Sequence, residues 1–435
     1  MKEQSLRRQA LVTAGCNAAV RGLGFGMRLW VSRMLGAEAV GVMELASSAH
    51  MLALTPAAAG LPGAVSRLTA RARPGEERLP LYAGRQLALA MTLLLTPLLL
   101  LLAPRIAAWL GDGRTLPSLY LFAPCMGLIG VSSVYDGYCF GRSNAWPPAL
   151  SELAEQLVRL LVSGMLLLGL PRLTIAYRAA VPALATTLGE ALGLAVMVGA
   201  VGQLNGLRGD PRLPGLRRQL LRLGMPLMLT RLSHTGLRAL CGAIIPLRLM
   251  AAGLSKSEAV SRLGMLNGMA LPLMLLPGML AGALGTVGGP AAARCASLRA
   301  ENRLALRLLL PALGAGTACG GALYALAPVL ACRLYRLPEL AGLIRVLCPM
   351  AMVLPLQQVL GGLMTGLGLQ RKALVASLLG AAVTLMATWR WAARPALQIY
   401  GAGYASLAGH GLTLLCTLIS FLLREKQGTK ATCHF

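Results

Sequence analysis

The stretch "LALAMTLLLTPLLLLLAP", residues 87–104, carries no charge and is long enough for one helical crossing of a bilayer. Similar apolar runs recur along the 435-residue chain, which is 56% hydrophobic and only 13% charged. A soluble domain typically has about 25% charged residues. We therefore predict an all-α polytopic membrane protein, because helices satisfy their own backbone hydrogen bonds within lipid.

Twelve apolar segments are predicted to be transmembrane helices. They are residues 10–33, 39–62, 84–104, 117–140, 148–170, 179–202, 220–247, 263–287, 305–330, 340–366, 372–393 and 401–423. The basic segment 204–219 lies mid-chain and predicts a cytoplasmic linker. The predicted domains are therefore a six-helix bundle over residues 1–203 and a second over residues 220–435.

The net charge of +26 would suggest a nucleic-acid partner in a soluble protein. In a membrane protein, Lys and Arg instead keep loops in the cytoplasm. These residues are about twice as frequent in the even-numbered loops and the termini as in the other loops. The bias predicts a cytoplasmic-membrane protein with both termini in the cytoplasm and no nucleic-acid partner.

Arginines inside the spans form a repeated pattern. Arg21 and Arg28 in the first span are seven residues apart, as are Arg231 and Arg238 in the seventh span. Two helical turns separate the members of each pair, so each pair lies on one helix face. Three small-residue or proline matches recur between the fourth and tenth spans: Pro124 with Pro349, Gly137 with Gly362, and Gly141 with Gly366. The repeat predicts two parallel bundles around a central cleft.

An arginine in mid-membrane costs at least about 2.5–3.5 kcal/mol on insertion scales, so it should face protein or a water-filled cavity. We predict that the two arginine pairs bind an anionic group in the cleft. The secondary candidates are Arg345, Glu44, Asp136 and Glu190. An alternative stays open, in which Arg21 and Arg28 snorkel or form structural ion pairs with Glu44 or Glu190. Arg33, at the end of the first span, is predicted to be interfacial.

The sequence offers no pattern for catalysis or metal binding. The ten cysteines form no CxxC pair, the four histidines form no ligand pattern, and there is no Walker A motif. We predict no enzymatic activity, no cofactor and no metal.

Four segments resemble the stage V sporulation protein B family, in the polysaccharide-exporter branch of the multidrug/oligosaccharidyl-lipid/polysaccharide (MOP) flippase superfamily. They are residues 28–71, 147–164 ("PPALSELAEQLVRLLVSG"), 248–280 and 360–381 ("LGGLMTGLGLQRKALVASLLGA"). The resemblance implies a MATE-like fold whose two bundles rock between inward-open and outward-open states. Asp136, in "YDGYCFGR", departs from the family pattern, in which an Arg usually precedes this "GY".

The resemblance implies a flippase that moves an anionic lipid-linked oligosaccharide or a peptidoglycan precursor, of undecaprenyl-diphosphate type, in sporulation or envelope synthesis. Its expected partners are that substrate, the bilayer and envelope-synthesis enzymes, and the protein is expected to be a monomer. One alternative is a cation-coupled multidrug antiporter, which would need a carboxylate in the cleft and aromatic residues. Another alternative is a scaffold that recruits envelope enzymes without transport.

Overall fold

The computed structural model describes residues 20, 22–170, 172–202, 209–293, 295 and 297–424, and all of their side chains except those of 279, 280, 283, 286, 287 and 290. These described residues are nearly all helical and contain no strand. Contacts divide the chain into two compact units. The first unit comprises Met1–Ala243 and Val260–Gly264, and the second comprises Ile244–Ala259 and Met265–Phe435.

The first unit is built from the helices of the first half of the chain and from the start of α8. In order these are α1 (22–35), α2 (Ala37–Ala58), α3 (Leu61–Arg71), α4 (Arg78–Trp109), α5 (Leu116–Gly141), α6 (Trp146–Gly169), α7 (Ile175–Val201) and α8 (Leu213–Ala251). A buried cluster that includes Val65, Leu81, Val134 and Leu220 packs α3, α4, α5 and α8 together.

The second unit contains the remaining helices. They are α9 (Lys256–Leu263), whose end belongs to the first unit, α10 (Leu271–Met274), α11 (Leu276–Ala293), α12 (Leu298–Val329), α13 (Leu340–Leu347), α14 (Met350–Gly366), α15 (Gln370–Trp391) and α16 (Gln398–Leu422). Two π-helical segments, Gly264–Ala270 and Leu330–Tyr335, follow α9 and α12. Val359, Leu360 and Leu363 of α14 form the centre of this unit's core, with residues from α11, α12 and α16.

Six helices of the described residues are long and apolar enough to cross a membrane, and the number is seven if α13 and α14, which meet at a 42° bend, form one broken span. The prediction of an all-α polytopic membrane protein is confirmed. Each of the twelve predicted segments is mostly helical where it is described, with short breaks such as those at residues 59–60 and 348–349. The part of the first segment before residue 20 lies outside the described residues. The number twelve itself stays a prediction.

The predicted boundary between the halves differs from the division by contacts. Residues 203–208 lie outside the described part of the chain, and α8 begins at Leu213, within the predicted linker 204–219. Most of α8, from Leu213 to Ala243, belongs to the first unit. The division into bundles at 1–203 and 220–435 stays a prediction, but residues 220–243 are packed with the first unit.

Candidate functional site

Close packing between α8 and α2 explains why the start of α8 belongs to the first unit. Gly60, just after α2, lies so near the backbone of Gly224 that a Cβ on either residue would crowd the other backbone. Further along, Thr55 Oγ1 donates a hydrogen bond of 3.3 Å to Thr235 Oγ1. Small and hydroxyl residues allow helices to approach closely within a membrane. The two helices run antiparallel, because residues later in α8 contact residues earlier in α2.

A carboxylate of α2, Glu44, interacts with arginines from α1 and α8. Arg28 of α1 donates from Nη2 to Oε1 of Glu44 at 2.7 Å. The charge of Arg238 also acts on the Glu44 carboxylate. The Arg28 side chain is 42% exposed and that of Glu44 is 18% exposed. This trio, Arg28, Glu44 and Arg238, is called the cationic cluster below, because it has two positive charges and one carboxylate; Arg28 is bonded to Glu44 and Arg238 interacts with it through its charge.

The cationic cluster contains two of the four predicted arginines. Arg231 lies two turns before Arg238 on the same face of α8 and is exposed. Arg21 lies outside the described residues. Arg28 and Arg238 therefore both act on Glu44, and their role in a common binding site stays a prediction. The ion pair between Arg28 and Glu44 is one that the alternative interpretation, in which these arginines are structural, also predicted.

Glu190 does not pair with α1 but with α6. Arg159 donates from Nη2 to Oε1 of Glu190 at 2.5 Å and to Oε2 of Glu155 at 3.2 Å. The sequence indicated the Glu155–Arg159 pair, since these residues are one turn apart on a helix. No periodicity indicated the contact from Arg159 to Glu190, which joins two helices.

Asp136 of α5 lies near this second group of charges. The carboxylates of Glu152 and Glu155 both act on it electrostatically, and its side chain is partly buried. Asp136, Glu155 and Glu190 thus form an acidic region around Arg159. Within the described residues, no group of three or more His, Cys, Asp or Glu side chains is arranged to hold a metal ion.

Arg345 belongs to the second unit, in α13. Its guanidinium carbon lies 5.4 Å from the centre of the Tyr324 ring, in a cation–π contact. The side chain is exposed. An aromatic ring, which the sequence pattern did not indicate, thus contacts this arginine.

The predicted cytoplasmic linker 204–219 meets a second basic loop, residues 66–78, at one end of the first unit. Arg212, just before α8, bonds to Oε1 of Glu76 at 2.7 Å and to Oδ2 of Asp210 at 2.8 Å. Hydrogen bonds from the Arg212 side chain and backbone lower the pKa of Asp210 to about 2. Glu76 lies in the loop before α4 and Arg212 in the segment before α8, so both loops lie on the same side.

Comparison with known proteins identifies the family. The sequence pattern of the polysaccharide biosynthesis protein family matches residues 6–296, more than half of the chain. The chain belongs to this family. It is also 29% identical over 434 residues to the stage V sporulation protein B of Bacillus subtilis strain 168, covering 95% of this chain and 83% of the relative. The resemblance to that family is confirmed.

Solved structures of MOP-superfamily transporters share the fold. The lipid II flippase MurJ in an inward closed conformation superposes with a TM-score of 0.74 at 12% identity, over 94% of this chain and 87% of that chain. An inward-facing multidrug resistance MATE family transporter gives a TM-score of 0.73 at 16% identity, over 92% of each chain. The predicted MATE-like fold is confirmed, and family and fold together assign this polytopic membrane protein to the MOP transporters.

Proposed function

We propose that the protein is a flippase that moves an anionic lipid-linked oligosaccharide or peptidoglycan precursor across the cytoplasmic membrane. The observation that carries the proposal is the cationic cluster in the first unit, where Arg28 bonds to Glu44 and the positive charge of Arg238 acts on the same carboxylate. A surplus guanidinium within membrane helices is costly unless it faces a wet cavity or an anion. Membership of the polysaccharide biosynthesis protein family supports a glycan cargo.

The proposed mechanism uses the geometry of guanidinium groups. A diphosphate presents several acceptor oxygens, and arginine binds phosphate bidentately with a planar fork of donors. Glu44 holds Arg28 in position while the site contains no anion. When the diphosphate binds, it replaces Glu44 as the hydrogen-bond partner of the Arg28 guanidinium. Arg238 supplies the second cation, and Arg231 and Arg21 complete the site. Alternating access carries the head group through the wet cleft while the lipid tail stays in the bilayer.

The experiment is a flipping assay with purified protein in liposomes. The probe is a fluorescent sugar on undecaprenyl diphosphate, and dithionite reports the fraction left in the outer leaflet. Arg28→Ala and Arg238→Ala should each weaken binding by about 1.5–3 kcal/mol, the range for hydrogen bonds to charged groups, and slow flipping accordingly. Lys at either position should restore activity only in part, since it keeps the charge without the fork.

Arg33→Ala is the matched control, because Arg33 lies on the same helix as Arg28 and is exposed. It should flip the probe at the wild-type rate. Wild-type rates for both Arg28→Ala and Arg238→Ala, at equal reconstitution, would refute the anion site.

In cells, lipid analysis of a deletion strain should show accumulation of one undecaprenyl-linked precursor, which would identify the cargo.

The orientation is part of the proposal. The charge bias places both termini in the cytoplasm, and the Glu76–Arg212 pair puts two basic loops on one side. In a cysteine-free background, a cysteine introduced by Asp210→Cys should be labelled only from the cytoplasm. A cysteine introduced by Glu258→Cys should be labelled only from outside. The reverse pattern would contradict the orientation. A monomer in contact with envelope-synthesis enzymes remains the proposed assembly.

A cation-coupled multidrug antiporter is the second candidate, and the acidic region around Arg159 favours it. Glu155 and Glu190 supply carboxylates that a proton or Na⁺ could use. An antiporter should expel a cationic dye when a proton gradient is imposed. Glu190→Gln should abolish that efflux, and Arg28→Ala should leave it unchanged. Absence of dye transport in liposomes that flip the lipid probe would exclude this candidate.

A further inference from the structure

A small basic pocket opens at one end of the first unit, apart from the cationic cluster. It has a volume of about 160 Å³, and its lining includes Arg78, Tyr138, Arg142 and Asn144. One water occupies about 30 Å³ of liquid, so the pocket has room for several waters or for a group of phosphate size. It is too small for a diphosphate-linked oligosaccharide.

The charged groups of the pocket are two guanidinium donors, each bonded to a neutral acceptor. Arg78 donates from Nη2 to the carbonyl oxygen of Val201 at 3.4 Å, and Arg142 donates from Nη1 to the Tyr138 hydroxyl at 3.1 Å. The Arg142 guanidinium also lies over the Tyr138 ring, 5.8 Å from its centre. Tyr138 is almost fully buried, and it fixes the direction of Arg142. Two guanidinium groups are thus held at the rim of one small cavity.

The charge balance favours an anion. Among the residues that the structure describes, Arg78 and Arg142 line the pocket and no acidic residue does. Glu77, which lies outside the lining, acts on Arg142 electrostatically and offsets one of the two charges. The pocket lies where α4 and α6 begin and where α5 and α7 end, so the helix dipoles oppose one another. The arginine side chains therefore decide the sign of the potential.

Two exposed aromatic side chains indicate that the pocket lies at the depth of lipid head groups. Trp146 is 53% exposed at the start of α6, and Phe140 is 54% exposed near the end of α5. Both flank the pocket in sequence. Exposed aromatic side chains at the ends of membrane helices, Trp above all, mark the boundary between hydrocarbon and water. Basic pockets between membrane helices on the cytoplasmic side are suited to anionic lipid head groups.

We infer that this pocket binds the phosphate of an anionic phospholipid from the surrounding leaflet, with Arg78 and Arg142 as its cationic contacts. The Tyr138 hydroxyl and the Asn144 amide complete the polar rim. Free phosphate has the same chemistry, but it lacks the acyl chains that would lie beside Phe140 and Trp146. The site is independent of the proposed cargo, since none of its residues belongs to the cationic cluster.

The test is a thermal-shift assay on the full-length protein, delipidated in a neutral detergent. The probes are dihexanoylphosphatidylglycerol, zwitterionic dihexanoylphosphatidylcholine and inorganic phosphate. The anionic lipid should raise the unfolding midpoint at concentrations at which the other two do not. The double variant Arg78→Gln/Arg142→Gln should bind the anionic lipid roughly tenfold more weakly or worse, because it loses hydrogen bonds to a charged group.

The matched control is Arg71→Gln/Arg73→Gln, which removes the same charge from two exposed arginines that do not line the pocket. This control should retain the full shift. An undiminished shift in the pocket variant, or an equal loss in the control, would overturn the inference. An equal shift with inorganic phosphate would overturn the lipid as the source.

If the double variant is not monodisperse, the single variants Arg142→Gln and Arg142→Lys replace it. The Gln variant should lose part of the shift and the Lys variant should keep more of it. Equal shifts in the wild type and both single variants would reject the site.

Discussion

In the first unit Arg159, and in the second unit Arg424, form ion pairs between elements at low exposure, but the two arginines have different partners. Arg159 in the first unit, 19% exposed, contacts two carboxylates, Glu155 and Glu190. Arg424 in the second unit, 5% exposed, contacts one carboxylate, Glu301, and the neutral amide of Asn302. The first group therefore has a surplus of negative charge, whereas the second is neutral. Only the first group, with its additional carboxylate, resembles a functional site.

The glycine contacts, in contrast, are alike in both units. Gly137 of α5 lies against the backbone of Pro62, and Gly362 of α14 lies against the backbone of Gly285. Gly137 and Gly362 are a pair that the sequence repeat had matched, at a shift of 225 residues. The two units therefore share this close glycine packing between helices, but they differ in the charged residues on those helices.

Removal of Arg159 should have the largest effect on stability. Arg159→Ala leaves two carboxyl groups without their cation, and removing one partner of a buried ion pair costs about 3–5 kcal/mol. Thermal unfolding in detergent should show a large fall in the midpoint. Arg159→Ala/Glu190→Gln should recover part of the loss, because one carboxylate is removed together with the cation. No recovery would mean that packing rather than charge explains the effect.

Removal of Arg424 should cost less, although this arginine is more deeply buried. Arg424→Ala leaves only Glu301, which lies in the first turn of α12 where the helix dipole stabilises an anion. We expect a loss of about 1.5–3 kcal/mol, measured in the same unfolding assay. A greater loss for Arg424→Ala than for Arg159→Ala would contradict the comparison between the two units.

Substitution of the packing glycines should have similar effects in the two units. Gly137→Ala and Gly362→Ala each place a methyl group against a neighbouring backbone, and such overpacking costs about 1–3 kcal/mol. Gly361 is the matched control, because a Cβ there would meet nothing within 4 Å. Gly361→Ala should stabilise its helix by roughly 0.5–1 kcal/mol, so neighbouring positions should show opposite signs. A loss at only one of the two packing glycines would disprove the structural repeat.

Arg33→Ala should have the smallest effect. Arg33 is exposed near the end of α1, and substitutions at such surface positions usually change stability by less than about 0.5 kcal/mol. The unfolding midpoint should stay at the wild-type value. A loss as large as that of Arg424→Ala would show that arginine contributes to stability even where it is exposed, and the contrast between the two buried arginines would lose its basis.

The sequence predicted the helices far better than the partners of their charged residues. Segments such as 117–140 and 148–170 agree within a few residues with α5 and α6, because apolar length is a local property. Glu190 was assigned to the proposed site or to a pair with α1, and it contacts Arg159 instead. That contact joins residues 31 positions apart, and no helical period connects them.

The sequence by itself determined the all-helical membrane architecture, the family and the repeated positions of arginine and glycine, because hydropathy and spacing are properties of each segment alone. Only the tertiary structure decided that α8 packs along α2 up to Ala243 and that Arg238 acts on Glu44. An electrostatic contact of this kind depends on which helices lie side by side. That choice results from the summed packing of small residues such as Gly60 and Gly224, which no single segment specifies.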